Sequence, residues 1–183
     1  MTIFEFVTEK HKGQKRKYTE EPYINHLIRV ASNFEKDSYL YNLALCHDLF
    51  EDTDCTHKEL IEIVKINVDS LKFDNKQLDT IVIIDFMKDV DNLTDYFTAK
   101  KYPNLNRKYR KTGELGRMSH FSKEAMTVKY ADLIDNCDIV LYDKSFGKIY
   151  LQEKYEILKH CQQGNFDLYY KAIVKHNEMI KLL

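Results

Sequence analysis

Five glycines and two prolines are the only strong turn-formers in 183 residues. That scarcity constrains the fold more than any other feature of the chain. A β-sandwich or barrel reverses direction every few residues and draws on these residues to do so, whereas long helices need few of them. The apolar spacing agrees, because it recurs at helical intervals over most of the length. Thr2 predicts the cap of a first helix with Phe4, Val7 and His11 along one side. Pro22 suits the first turn of a second helix striped by Ile24, Leu27, Ile28, Ala31 and Phe34. Asp37 or Ser38 caps a third, running through Leu40, Leu43, Ala44, His47 and Phe50, and Thr56 with Glu59 makes a capping box for a fourth. The run LDTIVIIDFMKDV is β-branched, yet Leu78, Ile81, Val82, Asp85 and Phe86 keep helical spacing, so it reads as helix. Residues 90–105, with Pro103, read as a long loop. A sixth helix covers Asn106 to about Ser119, weakened by Gly113 and Gly116, and a seventh runs from a Ser122 cap to Val140. Two amphipathic segments, Ile149–Cys161 and Phe166–Leu182, follow with Gly164 between them as a helix stop. The expectation is an all-α bundle of roughly eight or nine helices. It forms a single domain over 1–183, with its motif-bearing core at about 4–140 and C-terminal helices at about 145–183.

Composition narrows the function. A net charge of -1 excludes a generally basic coat for a nucleic-acid polymer, and 13% aromatic residues exclude disorder over most of the chain. Cys46, Cys55, Cys137 and Cys161 form no C-x-x-C pair, which predicts free thiols in a reducing compartment. MTIFEFVTEK lacks the basic start and apolar stretch of a signal peptide, and no apolar run approaches the ~20 residues of a membrane span. A cytoplasmic protein with no membrane partner is expected. The stripe through Tyr169, Ile173 and Ile180 packs internally or against a second copy in a homo-oligomer.

The chemistry concentrates in LALCHDLFEDT. On a helix, positions three and four apart share a face, so His47 sits beside Glu51, and Asp48 beside Glu51 and Asp52. Ionisable groups among Leu43, Ala44, Leu45, Leu49 and Phe50 are costly to bury unless paired or bound to a cation. A surface acidic face would explain the Glu-Asp pair, but it explains the His-Asp pair among apolar neighbours poorly. VKYADLIDNCDIV places Asp132, Asp135 and Asn136 on one side of another helix, and PYINHLIRV sets His26 between apolar residues. Alone, His26 reads as a core histidine; with His47, Asp48 and Asp132 it completes a mixed nitrogen and oxygen donor set. Such a set suits Mn²⁺, Fe²⁺ or Mg²⁺. Lys10, Lys12, Lys15, Arg16 and Lys17 form a basic cluster, of which Arg16 and Lys17 lie a short loop before His26. Arg107, Lys108 and Arg110 form another. Either could neutralise phosphates beside an otherwise acidic site.

These segments together resemble the HD metal-dependent phosphohydrolases, and more narrowly the hydrolase domain of RelA/SpoT-type alarmone enzymes and their small stand-alone relatives. The likeness rests on QKRKYTEEPYINHLIRVA, LALCHDLFEDTDCTHKEL, and NRKYRKTGELGR with SKEAMTVKYADLIDN, in that order. It implies that His26, His47, Asp48 and Asp132 bind one divalent metal, usually manganese. Glu51 and Asp52 would be the acidic pair at the attacked phosphate. Arg16 would pack on a purine base with Lys17 as its basic neighbour, and Asn136 would contact the nucleoside. On charge grounds alone, Lys17 or Arg107 would offset phosphate charge. The implied reaction is hydrolysis of ppGpp to GDP and pyrophosphate, without the synthetase half of the long enzymes. Phosphatase action on NADPH or a nucleoside monophosphate is the alternative within enzymes, and a non-catalytic nucleotide-binding module is the alternative outside them. The chain departs from the family at Leu27, where proline is common, and at Glu20, where many members have glycine. Residues 66–105 match it less well.

Overall fold

Two capping boxes open helices where the sequence places them. Thr2 accepts the Glu5 amide while the Glu5 carboxylate accepts from the Thr2 N–H, starting α1 (Ile3–Lys10). Thr56 and Glu59 repeat the arrangement at α5 (His57–Ile66). The computed structural model describes residues 1–72 and 78–183; residues 73–77, inside the 66–105 stretch, lie outside the described residues. Among those described there are ten α-helices, two short 3₁₀ segments and one isolated bridge between Lys15 and Pro22. The fold is all-α, and the nine predicted helices are all present. The third is broken in two.

The chain divides into two compact units, Met1–Thr94 and Asp95–Leu183. In the first, α2 (Ile24–Ala31) and α1 pack on α3 (Tyr39–Cys46), and α6 (Asp79–Leu93) packs on α3 and α5. Leu27, Val30, Leu43, Leu45, Leu60 and Phe86 make its interior. The buried side of α1 is Ile3, Phe6 and Val7, with His11 buried at its end; of the predicted stripe Val7 and His11 are buried and Phe4 is 38% exposed. Ser38 caps α3, while Asp37 turns the chain at φ 61°. Pro22 lies just outside α2, because its bridge to Lys15 closes the hairpin that carries Arg16.

That hairpin explains the departure at Glu20. Arg16 N–H donates to Glu21 O, Glu20 N–H donates to Arg16 O, and Glu20 sits at φ 58°. A side chain in the left-handed region is strained where glycine is not. Glu20→Gly is therefore expected to raise unfolding stability by about 0.5–1 kcal/mol, the relieved strain exceeding the extra freedom of the unfolded chain. A urea midpoint that falls instead would contradict this.

The second unit holds α7 (Arg107–Met118), α8 (Lys123–Asn136), α9 (Lys144–His160) and α10 (Phe166–Ile180), with a 3₁₀ segment over Cys137–Leu141. Helix α10 packs on α8 and α9, and α7 packs on α9. Asn106, Ser122, Asp143 and Asn165 each cap the helix they precede. Gly113 lies inside α7 because a Cβ there would meet the Phe97 ring at 2.9 Å. The buried Glu114 carboxylate accepts the Phe97 N–H, so the loop after α6 is fastened down. Gly164 is not the helix stop: α9 ends at His160, and a Cβ on Gly164 would lie 2.5 Å from the Tyr130 ring. The buried stripe of α10 is Leu168, Ala172, His176 and Met179, which leaves Tyr169 and Ile173 at its margin and Ile180 48% exposed. All four cysteines are buried free thiols. No described helix is long and apolar enough to cross a membrane.

Candidate functional site

The break in the third predicted helix falls on the His-Asp pair. Helix α3 stops at Cys46 and a single turn, α4 (Leu49–Asp52), resumes after Asp48 at φ -104°, ψ 3°. The His47 ring supplies a reason: its Nδ1 lies 2.7 Å from Ala44 O, the carbonyl that the Asp48 amide would take in an unbroken helix. The face expected for His47, Asp48, Glu51 and Asp52 is retained in part: Asp48 turns to His26 and His47, and Asp52 stays beside it, since the Tyr23 phenol bonds both carboxylates.

His26 and His47 are buried, with ring centroids 5.1 Å apart and edge to face. Asp48 Oδ2 lies 3.1 Å from His47 Nε2 and 3.4 Å from His26 Nε2. A carbonyl oxygen only accepts, so His47 Nδ1 must be the donor to Ala44 O. In the neutral ring this puts the lone pair on Nε2, facing a carboxylate oxygen that also only accepts. Two lone-pair atoms at that separation are reconciled by a cation between or beside them. Imidazole held through Nδ1 by a backbone carbonyl is the ordinary arrangement of a metal-ligating histidine. The chemistry of this buried His/Asp group therefore fits a divalent metal.

Tyr23 is the residue the sequence reading did not assign. Its phenol donates to Asp48 Oδ2 at 2.6 Å. Its ring meets His26 edge-on at 5.7 Å and stacks on the buried His11 at 5.2 Å. Burial, with the charges of Asp48 and Asp52, holds the phenol far above its usual pKa, so it remains a donor. Tyr23 lies one helical turn before His26, and that spacing was the available signal. Asp52 is raised from the usual carboxyl range, first by the protein crowding it and also by the Asp48 charge, while the Tyr23 hydrogen bond opposes the rise. Arg16 brings its guanidinium carbon 5.7 Å from the Tyr23 ring centroid, and the Lys17 ammonium lies 4.9 Å over Tyr18.

In the second unit, Asp132 is buried on α8. Lys129 Nζ lies 2.9 Å from its Oδ2, and Asn136 Nδ2 donates to its Oδ1 at 2.5 Å. Asn136 thus holds a carboxylate, whereas the resemblance gave it a nucleoside. Arg107 forks onto Glu153 at 2.6 and 2.7 Å and lies 5.1 Å over Phe146. That bidentate pair raises the guanidinium pKa and commits its donors.

Comparison with known proteins adds the chemistry of relatives. The chain is 31% identical over 137 residues to the MESH1 guanosine-3′,5′-bis(diphosphate) 3′-pyrophosphohydrolase of Xenopus tropicalis, covering 72% of this chain and 63% of that protein. It is 26% identical over 142 residues to MESH1 of Drosophila melanogaster, covering 74% and 66%. A 62-residue stretch is 47% identical to the Aquifex aeolicus enzyme of the same name, covering 32% of this chain and 9% of that one. The chain thus spans slightly under two thirds of the length of the MESH1 relatives. A solved structure of a metazoan SpoT ortholog, described as hydrolysing ppGpp with a role in starvation responses, superposes with TM-score 0.73 at 20% identity, covering 99% of this chain and 94% of that one. No protein-family profile matches the chain.

Proposed function

We propose that this chain, similar in sequence and fold to guanosine-3′,5′-bis(diphosphate) 3′-pyrophosphohydrolases, is an HD-type hydrolase that converts ppGpp to GDP and pyrophosphate with one bound Mn²⁺. The observation that supports this most is Asp48 Oδ2 placed against both His26 and His47, with the His47 tautomer set by Ala44 O. In this reading His26, His47 and Asp48 are ligands, and Asp132 is the fourth. A divalent metal held by these four side chains would supply water acidified from 15.7 toward about 7 and a polarised phosphoryl oxygen.

The chain's own residues do the rest. Asp52 retains a proton more readily than an ordinary carboxyl, which suits it to move one at the reacting phosphate with Glu51 beside it on α4. Arg16 offers a flat cation to a purine face, and Lys17 offsets phosphate charge. Arg107 and Asn136 are the weaker members of the proposed set, because each already holds a carboxylate. A cytoplasmic setting, one HD domain over 1–183, a small nucleotide in place of a nucleic-acid polymer or a membrane, and a homo-oligomer belong to the same reading.

The test is a product-resolved assay with Mn²⁺ and ppGpp, NADPH or a nucleoside monophosphate. Pyrophosphate and GDP from ppGpp are the expected products. Orthophosphate from NADPH with ppGpp untouched would replace this reading with the 2′-phosphatase one. Binding of ppGpp without turnover would leave a nucleotide-binding module.

A further inference from the structure

His11 is buried to 3% exposure at the end of α1, outside every motif assigned above. Its Nδ1 lies 2.6 Å from Gln14 Oε1, and its Nε2 is buried with no hydrogen-bond partner among the described residues. An unpaired buried nitrogen costs about 1–3 kcal/mol, which a phenylalanine in the same space would avoid. Packing alone therefore does not explain a histidine here. The ring lies almost parallel to Tyr23, 5° between planes at 5.2 Å. Gln14 also holds Tyr23 through the main chain, its carbonyl accepting the Tyr23 N–H at 2.9 Å. The same glutamine thus fixes the backbone of Tyr23 and the ring stacked on it. At the far end of the phenol is Asp48 Oδ2, at 2.6 Å.

We propose that His11, Gln14 and Tyr23 form a positioning relay for the metal centre, in which Gln14 fixes the His11 ring, His11 holds the Tyr23 ring, and the Tyr23 hydroxyl keeps the Asp48 carboxylate turned toward His26 and His47. The relay rests on the reading of Asp48 as a metal ligand. None of the three touches the substrate in it; they act through Asp48. Partners of this kind behind a ligand typically change metal affinity 10–100-fold. A strong donor on Oδ2 favours the orientation that faces the two imidazoles, and the same phenol also bonds Asp52.

The experiment is a Mn²⁺ titration of the metal-stripped full chain, reading free Mn²⁺ by its electron paramagnetic resonance signal. Wild type is compared with Tyr23→Phe, His11→Ala, the double variant and Asp48→Ala. Tyr23→Phe removes one oxygen and is expected to weaken Mn²⁺ binding 10–100-fold. His11→Ala is expected to weaken it in the same direction, and the double variant to be no weaker than Tyr23→Phe, because His11 acts through that ring. If His11→Ala fails to fold, Gln14→Ala takes its place in the cycle with the same non-additive result expected. Wild-type affinity in Tyr23→Phe, with binding lost in Asp48→Ala, would overturn the relay and leave the metal centre standing. Additive losses in the double variant would also overturn it. Wild-type protein that takes up no Mn²⁺, or Asp48→Ala that binds as wild type does, would remove the metal-centre reading and the relay with it.

Discussion

Asp48→Ala is expected to lose stoichiometric Mn²⁺ uptake and to slow pyrophosphate release from ppGpp by well over 100-fold. The size of the effect follows from position. Asp48 Oδ2 faces both His26 Nε2 and His47 Nε2 and also receives the Tyr23 hydroxyl. Loss of an outer partner costs 10–100-fold, so loss of the ligand that gathers the others should exceed that range. Asp48→Asn separates charge from shape. It retains an oxygen for the Tyr23 hydroxyl but removes the negative charge that offsets the cation, so it should resemble alanine in metal uptake while keeping a thermal midpoint near wild type. Turnover of either variant within a few-fold of wild type would remove Asp48 from the ligand set.

The second large effect concerns stability and comes from Lys154. Its side chain is 2% exposed on α9, with Nζ donating to Leu133 O at 3.0 Å and lying 4.1 Å over the Tyr150 ring. Leu133 is among the last residues of α8, so the amine caps an end carbonyl. Burial pushes the ammonium down from 10.5 to about 7; Cys137 and Asp132 pull it up, Lys129 and Lys111 push it down, and desolvation outweighs them all. Between those two values the unfolded chain keeps a proton that the folded chain has released. The unfolded state binds more protons there, so stability rises with pH across that window, and below about 7 the full penalty remains. Lys154→Met removes the titrating group while filling the same space. Wild type should gain on the order of 3–5 kcal/mol relative to Lys154→Met between neutral pH and pH 10 or so. Titrating groups that do not interact with Lys154 are common to both proteins and cancel in the difference; Cys137, Asp132, Lys129 and Lys111, which do interact with it, contribute the smaller remainder. Urea melts giving a constant difference from pH 7 to 9.5 would contradict a buried neutral amine.

Much of the fold was legible because its signals are local. Thr2, Thr56 with Glu59, and Ser122 satisfy backbone donors within one turn, so sequence spacing alone locates them. The break at His47–Asp48 was not legible. Leucine, alanine and phenylalanine around it favour an unbroken helix, and the bond from the His47 ring to Ala44 O depends on a rotamer that propensity does not encode. Gly113 and Gly164 misled for a related reason: each is explained by a neighbouring ring, Phe97 or Tyr130, and not by helix breaking. In the candidate site, His26, His47 and Asp48 stood out because ionisable groups among apolar neighbours require partners. Tyr23 and His11 did not, since a tyrosine and a histidine near helix ends have ordinary core roles. Only the phenol on Asp48 and the ring stacked behind it distinguish them.

The most direct test of the metal centre is anomalous diffraction at the manganese edge from crystals grown with Mn²⁺. The account predicts one strong peak within bonding distance of His26 Nε2, His47 Nε2 and an Asp48 carboxylate oxygen. Crystals that diffract well and show no peak at those three side chains, or a single ordered ion elsewhere on the protein, would contradict it.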